Sequence, residues 1–284
     1  MRTVFIILLF ANILFTATSA GETLHTIMPD YSEYLKDTTE IYHNDPVTKR
    51  KNDESKILDY IKSLQKLSLN EQKEQIKKMF STFPTQWNIT TATLSAFCED
   101  ILGDPDSPYY DDELYIISIE ETINSDQLSD DQKIRPHDLL NMALKNRRGE
   151  KCSDFTFISR NGHKEQLFDI DTEFTILFFY DPDCEYCLKV KKELSNHILL
   201  NKLIEEKKLT ILAVYPFGNI ELWNSHKNYM PSNWIDAFNS GGSVFENSLY
   251  ELRTMPVLFL LDKNKTVIQK NSTVRKIIGY IEKI

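Results

Sequence analysis

The sequence predicts an α-helical N-terminal domain followed by an α/β domain with a mixed central sheet and helices on both faces. Three observations lead there. Apolar residues recur at helical spacing from about residue 30 to 148, and after Cys152 short β-type runs alternate with helical stretches. A chain of 284 residues is also long for a single core. The expected divisions are a leader over residues 1–20, a helical domain over 21–150 and an α/β domain over 151–284.

Taken in order, Arg2 precedes an apolar run from Val4 to Phe15 broken only by Asn12, and Thr18-Ser19-Ala20 puts small residues at the −3 and −1 positions. This is the pattern of a secretory signal cut after Ala20. The run is too short to cross a bilayer, which takes about 20 apolar residues. No later run approaches that length, so the mature chain is expected to carry no integral membrane segment. A periplasmic or otherwise exported location follows, where a dithiol can be oxidised.

In the helical half, Ile57, Ile61 and Leu64 share one helix face and Ile76, Met79 and Phe80 the next, with a capping-box pattern at Ser68-Leu69-Asn70-Glu71 between them. Leu94, Phe97, Cys98 and Ile101 suggest a third helix, and Leu114, Ile117 and Ile119 a fourth. Pro105 and Pro108 in the turn between these stop one helix and start the other. The last helix is expected to begin at Pro136, where a missing amide is tolerated, and to end at Gly149.

In the second half, Phe155 to Ile158 leads to a turn at Asn161-Gly162, and Phe174 to Tyr180 reads as a strand buried on both faces. A helix from Cys184 to about Glu206 follows, with Cys187, Val190 or Lys191, Leu194 and Ile198 on its core face. Then come a strand from Leu209 to Tyr215, a helical stretch from Ile220 to Trp234, strands at Val257 to Leu261 and Thr266 to Gln269, and a final amphipathic helix from about Thr273.

Composition excludes several functions. Eight glycines stand too far apart for a GxGxxG or GxxxxGK[ST] phosphate cradle, and no cofactor is implied. With 42 acids against 33 bases the net charge is −9 and no basic stripe occurs, which argues against nucleic acid as a partner. A structural zinc site needs four ligands, and no second C-x-x-C or H-x3-5-H accompanies the first cysteine pair.

That pair is Cys184-Glu185-Tyr186-Cys187, placed directly after an apolar strand and at the opening of a helix. In this context C-x-x-C reads as a redox dithiol, because the unpaired amides and positive end of the helix favour a thiolate at the first cysteine. The geometry makes Cys184 the exposed attacking sulfur and Cys187 the sheltered resolving one. A thioredoxin-type redox role is weighed against a binding module with a static disulfide, in which the helical domain takes a peptide or envelope partner.

The segment Phe178-Phe179-Tyr180-Asp181-Pro182-Asp183-Cys184-Glu185-Tyr186-Cys187, with Thr254-Met255-Pro256-Val257-Leu258-Phe259 downstream, resembles the thioredoxin-like superfamily. It is most similar to the exported ResA/TlpA-type thiol-disulfide oxidoreductases, over residues 151–284. Leu102 to Pro108 with Lys145 to Gly149 resembles a group of Gram-negative envelope proteins that carry a helical domain of unknown function ahead of the thioredoxin-like one. The resemblance implies a cis proline at Pro256 facing the dithiol, with Met255 and Tyr186 shaping a substrate groove. It also implies protein thiols and disulfides as substrates and an upstream electron donor.

The chain departs from that pattern in two ways. Asp183 precedes the first cysteine where an aromatic is usual, and Phe178 stands where thioredoxin has a buried acid. The resemblance implies Glu185 as the candidate proton-handling group, since some ResA-like relatives also have Glu there, weighed against a solvated first-turn carboxylate that complements the helix dipole; Asp183 is the candidate N-cap. Both carboxylates oppose a thiolate at Cys184, and no Arg or His is adjacent in sequence, so the expected couple is a reductant or isomerase rather than a strong oxidant. Cys98 and Cys152 could be bridged or free.

Overall fold

The computed structural model describes residues 46–284. The secretory signal expected at residues 1–20 lies outside the described residues. Glu54–Ile284 form one unit and the chain up to Asp53 another; the account below concerns the larger one.

Among the described residues five α-helices precede the sheet: α1 (Pro46–Leu64), α2 (Leu69–Gln86), α3 (Thr91–Cys98), which runs on into a π-helical turn (Glu99–Gly103), α4 (Asp112–Asn124) and α5 (Asp130–Ala143). Their apolar faces close on one core that includes Ile57, Ile61, Ile76, Met79, Leu94 and Phe97, as the helical spacing predicts. The Ser68 cap is reciprocal. Its amide donates to Glu71 Oε2 at 2.8 Å, while the Glu71 amide donates to Ser68 Oγ at 3.4 Å.

Three boundaries differ from expectation. α4 is started by Asp111, whose Oδ1 accepts from the amides of Glu113 and Leu114, and not by Pro108. α5 begins at Asp130, ahead of Pro136, because the Ser129 amide donates to Gln132 Oε1 at 2.9 Å and holds the first turn. The proline sits inside the helix with its ring buried, and the helix stops at Ala143 rather than Gly149.

The sheet has seven strands in the order β2-β1-β5-β4-β3-β6-β7. They are β1 (Thr156–Ser159), β2 (Lys164–Gln166), β3 (Phe174–Phe179), β4 (Leu209–Tyr215), β5 (Ile235–Phe238), β6 (Val257–Asp262) and β7 (Val267–Gln269). β3 pairs parallel with β4 and antiparallel with β6, which puts it at the centre. Alternation along β3 divides the core. Ile176, Phe178 and Tyr180 face α6 (Glu185–Asn196) and, after the later strands, α10 (Val274–Ile281), while Leu177 and Phe179 face Phe155, Tyr250 and Phe259.

The helix expected from Cys184 to Glu206 is broken at His197, whose ψ of 118° is extended, into α6 and α7 (Ile198–Glu205). Asn201 Nδ2 donates to the Ser195 carbonyl at 2.8 Å and stabilises the break. The core position passes to Leu200, and Ile198, expected inside, is 85% exposed. The helical stretch expected to reach Trp234 ends as α8 (Ile220–Ser225), and β5 follows as a strand that the local sequence did not announce. A short helix, α9 (Ser243–Glu246), packs on the opposite face.

The helical region is tied to the sheet by polar contacts to backbone. Lys270, 4% exposed, donates from Nζ to the carbonyls of Ala143 and Lys145, and Asn146 Nδ2 donates to the Leu249 carbonyl. Gly149 and Glu150 exchange backbone hydrogen bonds with Val267. Cys98 lies in the helical core and Cys152 in the sheet cluster, each as a free thiol, so the bridge left open by the sequence is not formed. Burial pushes the Cys98 thiol up to about 12 and the Cys152 thiol up to about 11.

Candidate active site

β3 ends at Phe179 and the chain turns over Tyr180-Asp181-Pro182-Asp183 onto α6. Asp181 organises the turn: its Oδ1 accepts from the Asp183 amide at 2.9 Å and its carbonyl from the Cys184 amide at 3.1 Å. Cys184 itself is therefore the N-cap of α6, and Asp183, expected there, projects into solvent instead. The sulfur takes the cap's role. Cys184 Sγ accepts from the Cys187 amide at 3.1 Å, one of the four amides that a helix start leaves without a backbone partner.

Cys184 is half-buried and Cys187 is fully buried one turn on, packed among Val190, Leu194 and Tyr180. Burial raises the Cys187 thiol above its ordinary range; a backbone contact at Asp181 opposes this and the neighbouring Cys184 adds to it. The Met255-Pro256 bond is cis. The Met255 carbonyl lies 3.7 Å from Cys184 Sγ, so the structure places the two cysteines and the Met255-Pro256 step together. Tyr186 is 48% exposed beside them. Glu185 is exposed in the first turn of α6 and hydrogen-bonds to neither cysteine. Among the described residues no group of three His, Cys, Asp or Glu side chains could hold a metal ion.

Several neighbours of the dithiol come from segments that sequence reasoning left aside. His226, at the end of α8, puts Nε2 3.9 Å from Asp183 Oδ1, a base beside a motif that has none adjacent in sequence. Tyr229 stacks on Tyr180 with ring centroids 5.8 Å apart, and Lys191 Nζ lies 3.5 Å from the Tyr229 ring centroid while donating to its carbonyl at 2.7 Å. Among the described residues the buried Tyr229 hydroxyl has no hydrogen-bond partner. Burial pushes its phenol up to about 12, with Cys187 and then Cys184 adding to the shift.

Phe178, in the position of thioredoxin's buried acid, is part of the apolar core. The buried acid on this face is Asp236 of β5. Its Oδ1 accepts from Tyr180 Oη at 2.9 Å and Trp223 Nε1 at 3.0 Å, and its Oδ2 pairs with Arg160 Nε at 2.6 Å. No local pattern marks it, because its partners lie just past the ends of β1 and β3 and on α8.

A solved structure of a thioredoxin-like protein from Bacteroides caccae matches with a TM-score of 0.78 at 28% identity, over 93% of this chain and 98% of that one. The C-terminal half has the thioredoxin-like fold. Residues 34–146 match a family model described as a domain of unknown function, DUF5106. For the thioredoxin-like domain, the C-terminal domain of an uncharacterized protein from Bacteroides fragilis is 34% identical, with a TM-score of 0.47 over 48% of this chain and 98% of that one. The thioredoxin domain of a thiol-disulfide oxidoreductase from Bacteroides vulgatus is 20% identical, with a TM-score of 0.43 over 48% and 96%. No curated protein matches the chain. Among the described residues no helix is long and apolar enough to cross a membrane.

Proposed function

We propose that the chain is an exported thiol-disulfide oxidoreductase of the ResA/TlpA type that reduces or isomerises disulfides of envelope proteins. The observation that carries this reading is the position of Cys184: a partly exposed sulfur at the cap of α6, bonded by the Cys187 amide, 3.7 Å from the Met255 carbonyl, with Cys187 sealed behind it. The export part rests on the pattern of residues 1–20.

In this reading the Cys184 thiolate attacks one sulfur of a substrate disulfide. That S–S bond breaks, a Cys184–substrate disulfide forms, and the first substrate sulfur leaves and takes up a proton. Cys187 then gives up its proton and attacks Cys184 Sγ. The Cys184–Cys187 bond forms as the mixed disulfide breaks, and the second substrate sulfur leaves as a thiol. The substrate gains two electrons and two protons, which the dithiol loses. An upstream dithiol donor restores Cys184 and Cys187 by the reverse exchange. Isomerisation stops at the mixed disulfide, which another substrate thiolate resolves.

Met255 and Pro256 form one side of the substrate groove and Tyr186 the other, and Glu185 moves protons between the dithiol and solvent. The test is Cys187→Ser in the full chain. It should accumulate a protein partner linked through Cys184, released by reductant and absent when Cys184 is also replaced. If no such species forms and the wild-type protein fails to reduce a model disulfide, the chain is a binding module with inert cysteines.

A further inference from the structure

Between α9 and β6 the chain runs through residues 247–256 without helix or strand, and this segment ends on the Met255-Pro256 step beside Cys184. A stretch with no ladder must find partners for its carbonyls elsewhere, and here two come from the helical region. The Ser248 carbonyl accepts from Lys145 Nζ at 2.7 Å and the Leu249 carbonyl from Asn146 Nδ2 at 2.8 Å. Asn146 is 6% exposed and its Oδ1 accepts in turn from the Ser153 amide at 2.7 Å, so one carboxamide is bonded at both ends. Its φ of 50° lies in the left-handed region, which asparagine enters more readily than most residues.

The far end of the segment is held as well. Glu99, at the start of the π-helical turn, places Oε1 3.5 Å from Nη1 of Arg253, two residues ahead of Met255. Glu99 is itself fixed by Arg135, whose Nη1 and Nη2 donate to its two oxygens at 2.7 Å each. Glu251 pairs with the other Arg253 nitrogen. Between the two ends Tyr250 is buried and donates from Oη to the Ser153 carbonyl at 2.6 Å. A half-exposed ion pair contributes little alone, so the grip rests on the whole set, of which the buried Asn146 carboxamide is the strongest member. The helical region also reaches the groove: a cleft of about 270 Å³ beside Pro256 has Asp106 on one side and Tyr186 and Asn271 on others.

We infer that the helical region holds the segment ahead of the Met255-Pro256 step, with Asn146 and Glu99 as positioning residues that set the Met255 carbonyl against Cys184 and so shape the groove for a polypeptide disulfide. Neither side chain bonds to the reacting sulfurs; Asn146 acts through Leu249 and Glu99 through Arg253. Both lie within residues 34–146, so the domain of unknown function gains a part in the reaction. The inference rests on the thiol-exchange reading and goes beyond it.

The experiment uses the full chain and two probes, a cystine-bridged peptide and the small neutral disulfide bis(2-hydroxyethyl) disulfide. Asn146→Asp keeps the acceptor for Ser153 and loses the donor to Leu249; Glu99→Gln removes the charge that faces Arg253. Together they should raise KM for the peptide roughly tenfold, leave kcat and the rate with the small disulfide within about twofold, and speed amide exchange over residues 248–256. Glu99→Asp, which keeps the charge, should fall between Glu99→Gln and wild type. Each variant's thermal melt reports whether it is folded, and if the double variant is not, Glu99→Gln alone carries the same comparison with a smaller shift. If folded variants lose rate equally with both probes, or if peptide KM and amide exchange stay at wild-type values, this inference is overturned alone. If wild-type protein reduces neither probe, the proposed function falls and the inference with it.

Discussion

Lys270 reaches across to Ala143: its Nζ lies 2.7 Å from the carbonyl oxygen of the last residue of α5, and 2.6 Å from that of Lys145. Burial lowers the ammonium pKa from its ordinary value, so the contact is made at the expense of hydration. Replacing the side chain with one of similar volume and no donor, Lys270→Met, leaves two carbonyls at a helix end unsatisfied. The expected loss is about 2–4 kcal/mol, read as a lower denaturant midpoint with the m value unchanged.

Glu113 receives Arg147 at both oxygens, at 2.5 and 2.6 Å, and Lys73 at 2.6 Å. The Arg147 hydrogen bonds, opposed by burial and joined by Lys73, lower its carboxyl from 4.5 to about 2. The unfolded chain binds this proton more readily than the folded one, so the stability from Glu113 is complete above about pH 4.5 and is lost as pH falls towards 2. Glu113→Gln should cost roughly 2 kcal/mol at pH 7, allowing for solvent screening, and much less at pH 3. Chemical denaturation at the two pH values checks it.

Among the described residues the desolvated Tyr229 hydroxyl has no partner, while its ring is held by Tyr180 and Lys191. Tyr229→Phe keeps the ring contacts and removes the unsatisfied group. It should raise stability by about 1 kcal/mol, measured by thermal or chemical unfolding.

Asp183 and Glu185 flank Cys184 with negative charge and are exposed. Removing both charges in Asp183→Asn with Glu185→Gln favours the charged form of the reduced dithiol and makes the couple more oxidising, by roughly 10–30 mV. Equilibration with glutathione buffers measures the shift. The wild-type potential should lie well to the reducing side of about −120 mV, the value of the strongest oxidants of this fold.

The parts of the fold legible in the sequence are those whose stabilising partners are local or whose burial is complete. The run from Leu209 to Tyr215 is a strand at its expected bounds because almost every residue is buried. Ser68 and Glu71 cap each other within four residues. Cys184, Cys187 and Pro256 were legible because the strand, helix and X-Pro contexts carry their own signals, and the structure brings the three together.

The misses share the opposite property. β5 contains Asp236, a poor strand former, and is stable because Tyr180, Trp223 and Arg160 arrive from three other segments. The break at His197 depends on Asn201 reaching back to Ser195. Asp183 is a good N-cap residue by type, yet the Asp181 turn starts the helix one residue later and gives the cap to a sulfur. His226, Tyr229 and Asp106 join the site from distant segments, and no spacing rule links them to Cys184.

The residue after Lys270 is Asn271, so the point where the sheet grips the helical region is covalently next to a side chain that lines the cleft. An excised C-terminal half would keep its two-cysteine turn complete while losing the wall that carries Asp106. On the proposed function, rates measured on such a fragment would report thiol exchange in the absence of the helical region's side of the cleft.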